Sequence, residues 1–129
     1  MLPRLRRRKS SPRERPRSTT AIGAAAERQA RRFYRLRGYR VLAANVRSGR
    51  NEVDLVLRRG RQLVFCEVKA KGGSRFGDPL EMVDREKQRR VRRAAEIWLA
   101  SHPETGGLHV RFDVVAVRAG RVQRLTDAF

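Results

Sequence analysis

The stretch Asn51–Lys71, NEVDLVLRRGRQLVFCEVKAK, decides the fold. It reads as two strands joined by a short basic turn at Arg58–Arg61. Alternation places Val53, Leu55 and Leu57 on one face of the first strand and Glu52, Asp54 and Val56 on the other. On the second strand Leu63, Phe65, Glu67 and Lys69 share a face, opposite Val64, Cys66 and Val68. Asp54, Glu67 and Lys69 therefore stand where strands usually carry apolar side chains. A loop of two or four residues across Arg59–Gly60 puts Asp54 opposite or diagonal to Glu67. Lys69, two residues further on, shares that face. Two converging carboxylates suit Mg²⁺, which keeps its remaining positions for water and phosphate. The amine beside them can orient or deprotonate a water, or neutralise phosphate charge. The plain alternative is an edge hairpin whose charges face solvent.

Outward from this hairpin, the composition points to a polyanionic partner. The 129-residue chain is of single-domain size and carries a net charge of +19 with 40% hydrophobic residues. Such a charge gathers polyanions, nucleic acid before all others. No apolar run reaches the length of a membrane-spanning helix. The single cysteine, Cys66, excludes an internal disulfide framework and suits a reducing, cytoplasmic location. Its place on the apolar side of a strand predicts a small buried side chain.

Residues 1–19 hold eight Arg/Lys, one Glu and three Pro, so they carry +7 and the remaining 110 residues carry +12. Nothing in that tail can build a core, and it is expected to be disordered, with residues 20–129 forming the domain. Ala21–Ala26 is too short and too weakly apolar to make an export signal of the arginines before it. Thr19 or Thr20 can cap a helix to about Arg37, closed by Gly38, with Ile22, Ala26, Ala30 and Phe33 as its core stripe and Glu27 beside it. Tyr39–Val46 reads as a strand. Ser48-Gly49 breaks it, and Asn51 is able to take a positive φ.

After Lys71 a loop-like run contains Gly72-Gly73 and Arg75, a candidate phosphate contact. Arg85–Ser101 is the clearest helix, with Val91, Ala94, Ala95, Trp98 and Leu99 on one stripe. Lys87, Arg89, Arg90, Arg92 and Arg93 crowd the rest of its first half, against only Glu86 and Glu96. A solvated face is the plain reading, but mutual repulsion of so many cations favours binding an anion. Pro103 and Gly106-Gly107 end the helix. His109–Val117 is a strand for the sheet interior, and Arg121–Leu125 a last short one.

The order helix, three strands with D…ExK on the second and third, helix, strand resembles the PD-(D/E)xK, restriction-endonuclease-like fold. More narrowly, the chain resembles the uncharacterised YraN-like family of small bacterial proteins. The residues that carry the resemblance are Gly23…Glu27, NEVDLV at 51–56, FCEVK at 65–69, RFGDPLEMVDREKQRRVRRAA at 75–95 and RFDVVAV at 111–117. Ala26 and Asn51 stand where that family usually has glycine. The resemblance implies an α/β fold, a central mixed β-sheet flanked by helices with an α-β-β-β-α-β core. It implies Asp54 and Glu67 as metal ligands together with the Val68 carbonyl. Lys69 would then activate water or stabilise the transition state. Glu27 would complete the shell, directly or through water, as in the similar archaeal Holliday-junction resolvases. Gln88 would help orient the site. The implied activity is a Mg²⁺- or Mn²⁺-dependent nuclease acting on DNA, on branched or single-stranded intermediates, and a homodimer would suit junction cleavage. Two alternatives stand beside it: a non-catalytic nucleic-acid-binding module on the same fold, and a protein that binds an acidic partner. The sequence leaves open whether one or two cations act.

Overall fold

A computed structural model describes residues 17–70 and 83–129. The expectations for residues 1–16, for the Gly72-Gly73 pair and for Arg75 lie outside these residues. The order of elements is α1 (Arg17–Arg35), β1 (Arg40–Ser48), β2 (Asn51–Arg59), β3 (Gln62–Ala70), α2 (Arg85–Ser101), a 3-10 turn (Pro103–Thr105), β4 (His109–Arg118) and β5 (Arg121–Leu125). This is a mixed α/β fold with the expected α-β-β-β-α-β core.

The β2–β3 hairpin closes through Gly60–Arg61, with Arg59 paired to Gln62. Gly60 takes a φ of 60°, which glycine adopts without a Cβ penalty. The five strands lie in sequence order, antiparallel except for β3 and β4, which run parallel. A parallel neighbour requires a crossover, and the chain between β3 and β4 carries α2. β3 therefore sits mid-sheet, and Leu63–Cys66 are buried whichever face they point to.

The two helices cover opposite faces. On one, Ala26, Ala30 and Tyr34 of α1 pack with Leu55, Leu57, Val64, Cys66, Val115 and Val117. On the other, Val91, Ala94, Ala95 and Trp98 of α2 pack with Val53, Val56, Leu63 and Phe65. Each large apolar side chain so buried contributes roughly 1.5–3 kcal/mol. Cys66 is buried as expected.

Several expectations are corrected. α1 begins at Arg17, so the helix enters the stretch assigned to the tail and neither threonine starts it. Ile22 is 60% exposed, because the first α1 residue to reach the sheet is Ala26; Tyr34 joins the stripe in its place. Gly49, not Asn51, supplies the positive φ of the β1–β2 turn. Val53 packs on the α2 side with Val56, whereas Leu55 and Leu57 face α1, so strict alternation fails at Asp54. The boundaries of α2 agree with expectation, and its first turn is capped by Asp84, whose carboxylate accepts the Lys87 amide hydrogen at 2.8 Å. Among the described residues no helix is long and apolar enough to cross a membrane.

A polar network lies inside the α1 face. Tyr34 donates its hydroxyl hydrogen to Asp113 Oδ2 at 2.7 Å, and Arg111 donates to both Asp113 oxygens at 2.8 Å. Arg111 also reaches the Tyr39 hydroxyl at 3.1 Å. Asp113 is fully buried, and this set of partners is what makes its charge tolerable there. Burial, reinforced by the neighbouring Cys66 and Asp113, holds the Tyr34 phenol far above its ordinary range.

Candidate metal centre

The ladder between β2 and β3 runs from Arg59↔Gln62 to Leu55↔Cys66. The same register, carried one residue further, sets Asp54 opposite Glu67. There the side chain takes over from the backbone: Asp54 Oδ2 accepts the Val68 amide hydrogen at 2.7 Å. An amide on a partly buried strand needs an acceptor, and the carboxylate supplies it where the strands separate. Burial first, then repulsion by Glu67, push the Asp54 carboxyl up to about 8, although the Val68 amide and Lys87 pull the other way.

Glu67 is 2% exposed. Its Oε2 faces two ammonium groups, Lys87 Nζ at 3.3 Å and Lys69 Nζ at 3.5 Å. Its Oε1 is buried and has no hydrogen-bond partner. A buried carboxylate oxygen without a donor is costly, and a cation would remove that cost. The sequence expectation that Asp54, Glu67 and Lys69 share a locality is met. Val68, whose carbonyl the resemblance assigns to the metal shell, contributes its amide to hold Asp54.

Lys87 does not sit on the outer basic face. It reaches inward and bridges Glu67 Oε2 and Glu52 Oε2, the latter at 3.1 Å, while Arg47 holds Glu52 Oε1 at 3.2 Å. Burial lowers the affinity of Lys87 for its proton, but Glu67 and Glu52 more than reverse this, leaving it above the usual lysine value. Sequence patterning sets Lys87 on the basic face and gives Glu52 no role, though two local signals bear on the bridge. Glu52 lies two residues before Asp54 on one strand, and Lys87 lies one turn before Val91 on the buried stripe.

Glu27 is placed elsewhere. From α1 its carboxylate accepts both contacts of the Asn45 side-chain amide, at 3.2 and 3.3 Å. Asn45 lies between Ala44 and Val46, the partners of Leu55 and Val53, and so sits beside Asp54 on the neighbouring strand. It adopts a φ of 54°, which asparagine tolerates better than most residues. Glu27 thus approaches the centre through Asn45. Among the described residues no three Asp, Glu, His or Cys side chains form a ready metal shell. The donors present, two carboxylates of which Glu67 keeps a buried oxygen without a partner, match a hard cation that keeps water and phosphate ligands.

The other expected nucleic-acid contacts on α2 divide by partner. Gln88 donates to the Val83 carbonyl at 3.1 Å and fastens the segment before the helix. Arg89 pairs with Glu86 at 2.7 Å and Arg93 with Glu96 at 3.0 Å, both near the surface. The Arg92 guanidinium lies over the Phe112 and Phe129 rings. Arg89, Arg90, Arg92 and Arg93 line one shallow depression together with Asn51, Glu86 and Glu96. Exposed ion pairs of this kind are worth little.

A model of the uncharacterised protein family UPF0102 matches residues 26–117. A UPF0102 protein of Frankia alni is 44% identical over 118 residues, covering 88% of this chain and 98% of that protein. A UPF0102 protein of Bordetella avium is 42% identical over 115 residues, covering 89% and 79%. The UPF0102 protein YraN of Escherichia coli is 39% identical over 113 residues, covering 87% and 86%.

Proposed function

The chain belongs to family UPF0102, and from that premise we propose that it is a metal-dependent nuclease. It would hydrolyse phosphodiester bonds in DNA, branched or single-stranded, with Mg²⁺ or Mn²⁺. The observation that carries this reading is Glu67 Oε1, buried and without a donor beside an Asp54 carboxyl held at a raised pKa. Such a pair is poised to exchange its repulsion for a cation.

Asp54 and Glu67, with the Val68 carbonyl, would hold the ion. When bound, it supplies Lewis acidity and lowers the pKa of a coordinated water. The Val68 amide fixes the Asp54 carboxylate, so the ligand is oriented before substrate arrives. Lys69, with one third of its side chain exposed, can turn from Glu67 toward a phosphate oxygen. There its charge would oppose the negative charge that grows in the transition state. The arginines of α2 supply the general attraction for the polyanion. Glu27 holds Asn45 on β1, the strand beside the one that carries Asp54.

The test is a panel of linear, single-stranded, flapped and four-way DNA and structured RNA, incubated with Mg²⁺ or Mn²⁺. Cleavage by the parental chain that Lys69→Ala lowers by on the order of a hundredfold or more is the expected result. Parental protein free of other nucleases that cuts none of these substrates would sink the reading.

A further inference from the structure

The carboxylate cluster has three members, Glu52, Asp54 and Glu67, and its oxygens are unevenly claimed. Arg47 and Lys87 take the two oxygens of Glu52. Lys87 and Lys69 take Glu67 Oε2, and the Val68 amide takes Asp54 Oδ2. Within the cluster only Glu67 is left with a buried oxygen that has no partner. Lys87 Nζ thus bridges two carboxylates, at 3.1 and 3.3 Å, as a second metal ion does in a two-metal site.

We propose that the Lys87 ammonium is a resident cation filling the second cation position of this cluster, so that the centre takes one divalent ion, at Asp54 and Glu67 Oε1. The inference rests on the metal-centre reading above and goes beyond it, since that reading leaves the number of ions open. Lys87 is suited to permanence. Its side chain is 13% exposed, its amide is tied to the Asp84 cap, and the next turn of α2 is anchored by buried Val91. A second divalent ion would have to expel the ammonium or lie beside it, and like charge opposes the latter.

Replacing Lys87 by the uncharged, unbranched methionine should uncover the Glu52–Glu67 position. Titration of the full-length chain with Mn²⁺ alone, counted by electron paramagnetic resonance, should then find one more bound ion in Lys87→Met than in the parent. Lys87→Arg, which keeps the charge, should match the parent. Equal stoichiometry in Lys87→Met and parent overturns the inference, as does a spin-coupled Mn²⁺ pair in the parental chain. If Lys87→Met is unfolded without metal, folding on addition of Mn²⁺ supports the inference. A chain that remains unfolded in saturating Mn²⁺ overturns it. The nuclease reading is judged separately, by cleavage and by whether the parent binds any ion. The difference of one ion stands or falls on its own.

Discussion

Asp54 Oδ2 lies 2.7 Å from the Val68 amide nitrogen and accepts its hydrogen. A side chain of β2 thereby occupies the place of a ladder bond to β3. The contact orients the Asp54 carboxylate on the strand next to Glu67. Ionising Asp54 is nonetheless unfavourable, because the hydrogen bond only partly offsets burial and the Glu67 charge.

Stability without metal should therefore fall with rising pH. Folded Asp54 keeps its proton to about 8, whereas the unfolded side chain releases it near 3.8. Between these values the folded state binds more protons, so stability declines as pH climbs through the window. Millimolar Mg²⁺ should reverse the decline, with the largest gain in melting temperature at its alkaline end. A melting temperature indifferent to both Mg²⁺ and Mn²⁺ across that range would remove the basis for a metal centre.

Asp54→Asn retains an acceptor for the Val68 amide and removes the carboxyl that the folded state must keep protonated. At neutral pH it should be more stable than the metal-free parent, by roughly 1 kcal/mol or more, and should no longer respond to Mg²⁺. Denaturant unfolding with and without the ion reads both effects. An unstable variant that still responds would place the cation elsewhere.

Lys69→Ala should bind DNA almost as the parent does, because the other 31 Arg and Lys residues supply the general attraction. Cleavage should drop by on the order of a hundredfold or more, the scale for removing one group that stabilises the transition state. Glu67→Ala should lose at least as much. Activity undiminished in both variants would belong to a contaminant.

Deleting residues 1–16 removes seven Arg/Lys and one Glu, or +6, and leaves α1 whole. The fold should survive. DNA affinity should weaken and the dependence of log K on log salt should become shallower, by up to about 0.9 for each phosphate that is no longer neutralised. An unchanged slope in a folded protein would show that this segment does not touch the nucleic acid.

Asp113→Ala leaves the Arg111 charge and the Tyr34 hydroxyl without their shared acceptor. The expected cost is about 3–5 kcal/mol, and Tyr34→Phe should cost about 1–3 kcal/mol. Both should lower the denaturation midpoint while the Mg²⁺ response persists, since this network packs under α1 and the proposed metal centre lies toward α2. A loss of metal response in folded Tyr34→Phe would show that the two faces communicate.

The sequence by itself determined the elements and the central hairpin. Period-two alternation over Leu63–Lys69 and the 3.6-residue stripe from Val91 to Leu99 are local signals, set by which way successive side chains point. The proximity of Asp54, Glu67 and Lys69 follows from the same parity once a two-residue turn is granted. Tertiary structure decided what those local rules do not reach. By its neighbours in the chain Lys87 belongs to the α2 basic face, but α2 lies against β2, and there the lysine finds Glu52 and Glu67. Val53 changed face because the strands part at Asp54. Ile22 stayed exposed because the sheet begins, from the helix's side, at Ala26. Asp113 and Tyr34, 79 residues apart, met only when β4 was laid parallel to β3 beneath α1. Each of these outcomes depends on which surfaces two elements present to each other. Packing energy selects that arrangement from pairs distant in the chain, and no run of neighbouring residues encodes it.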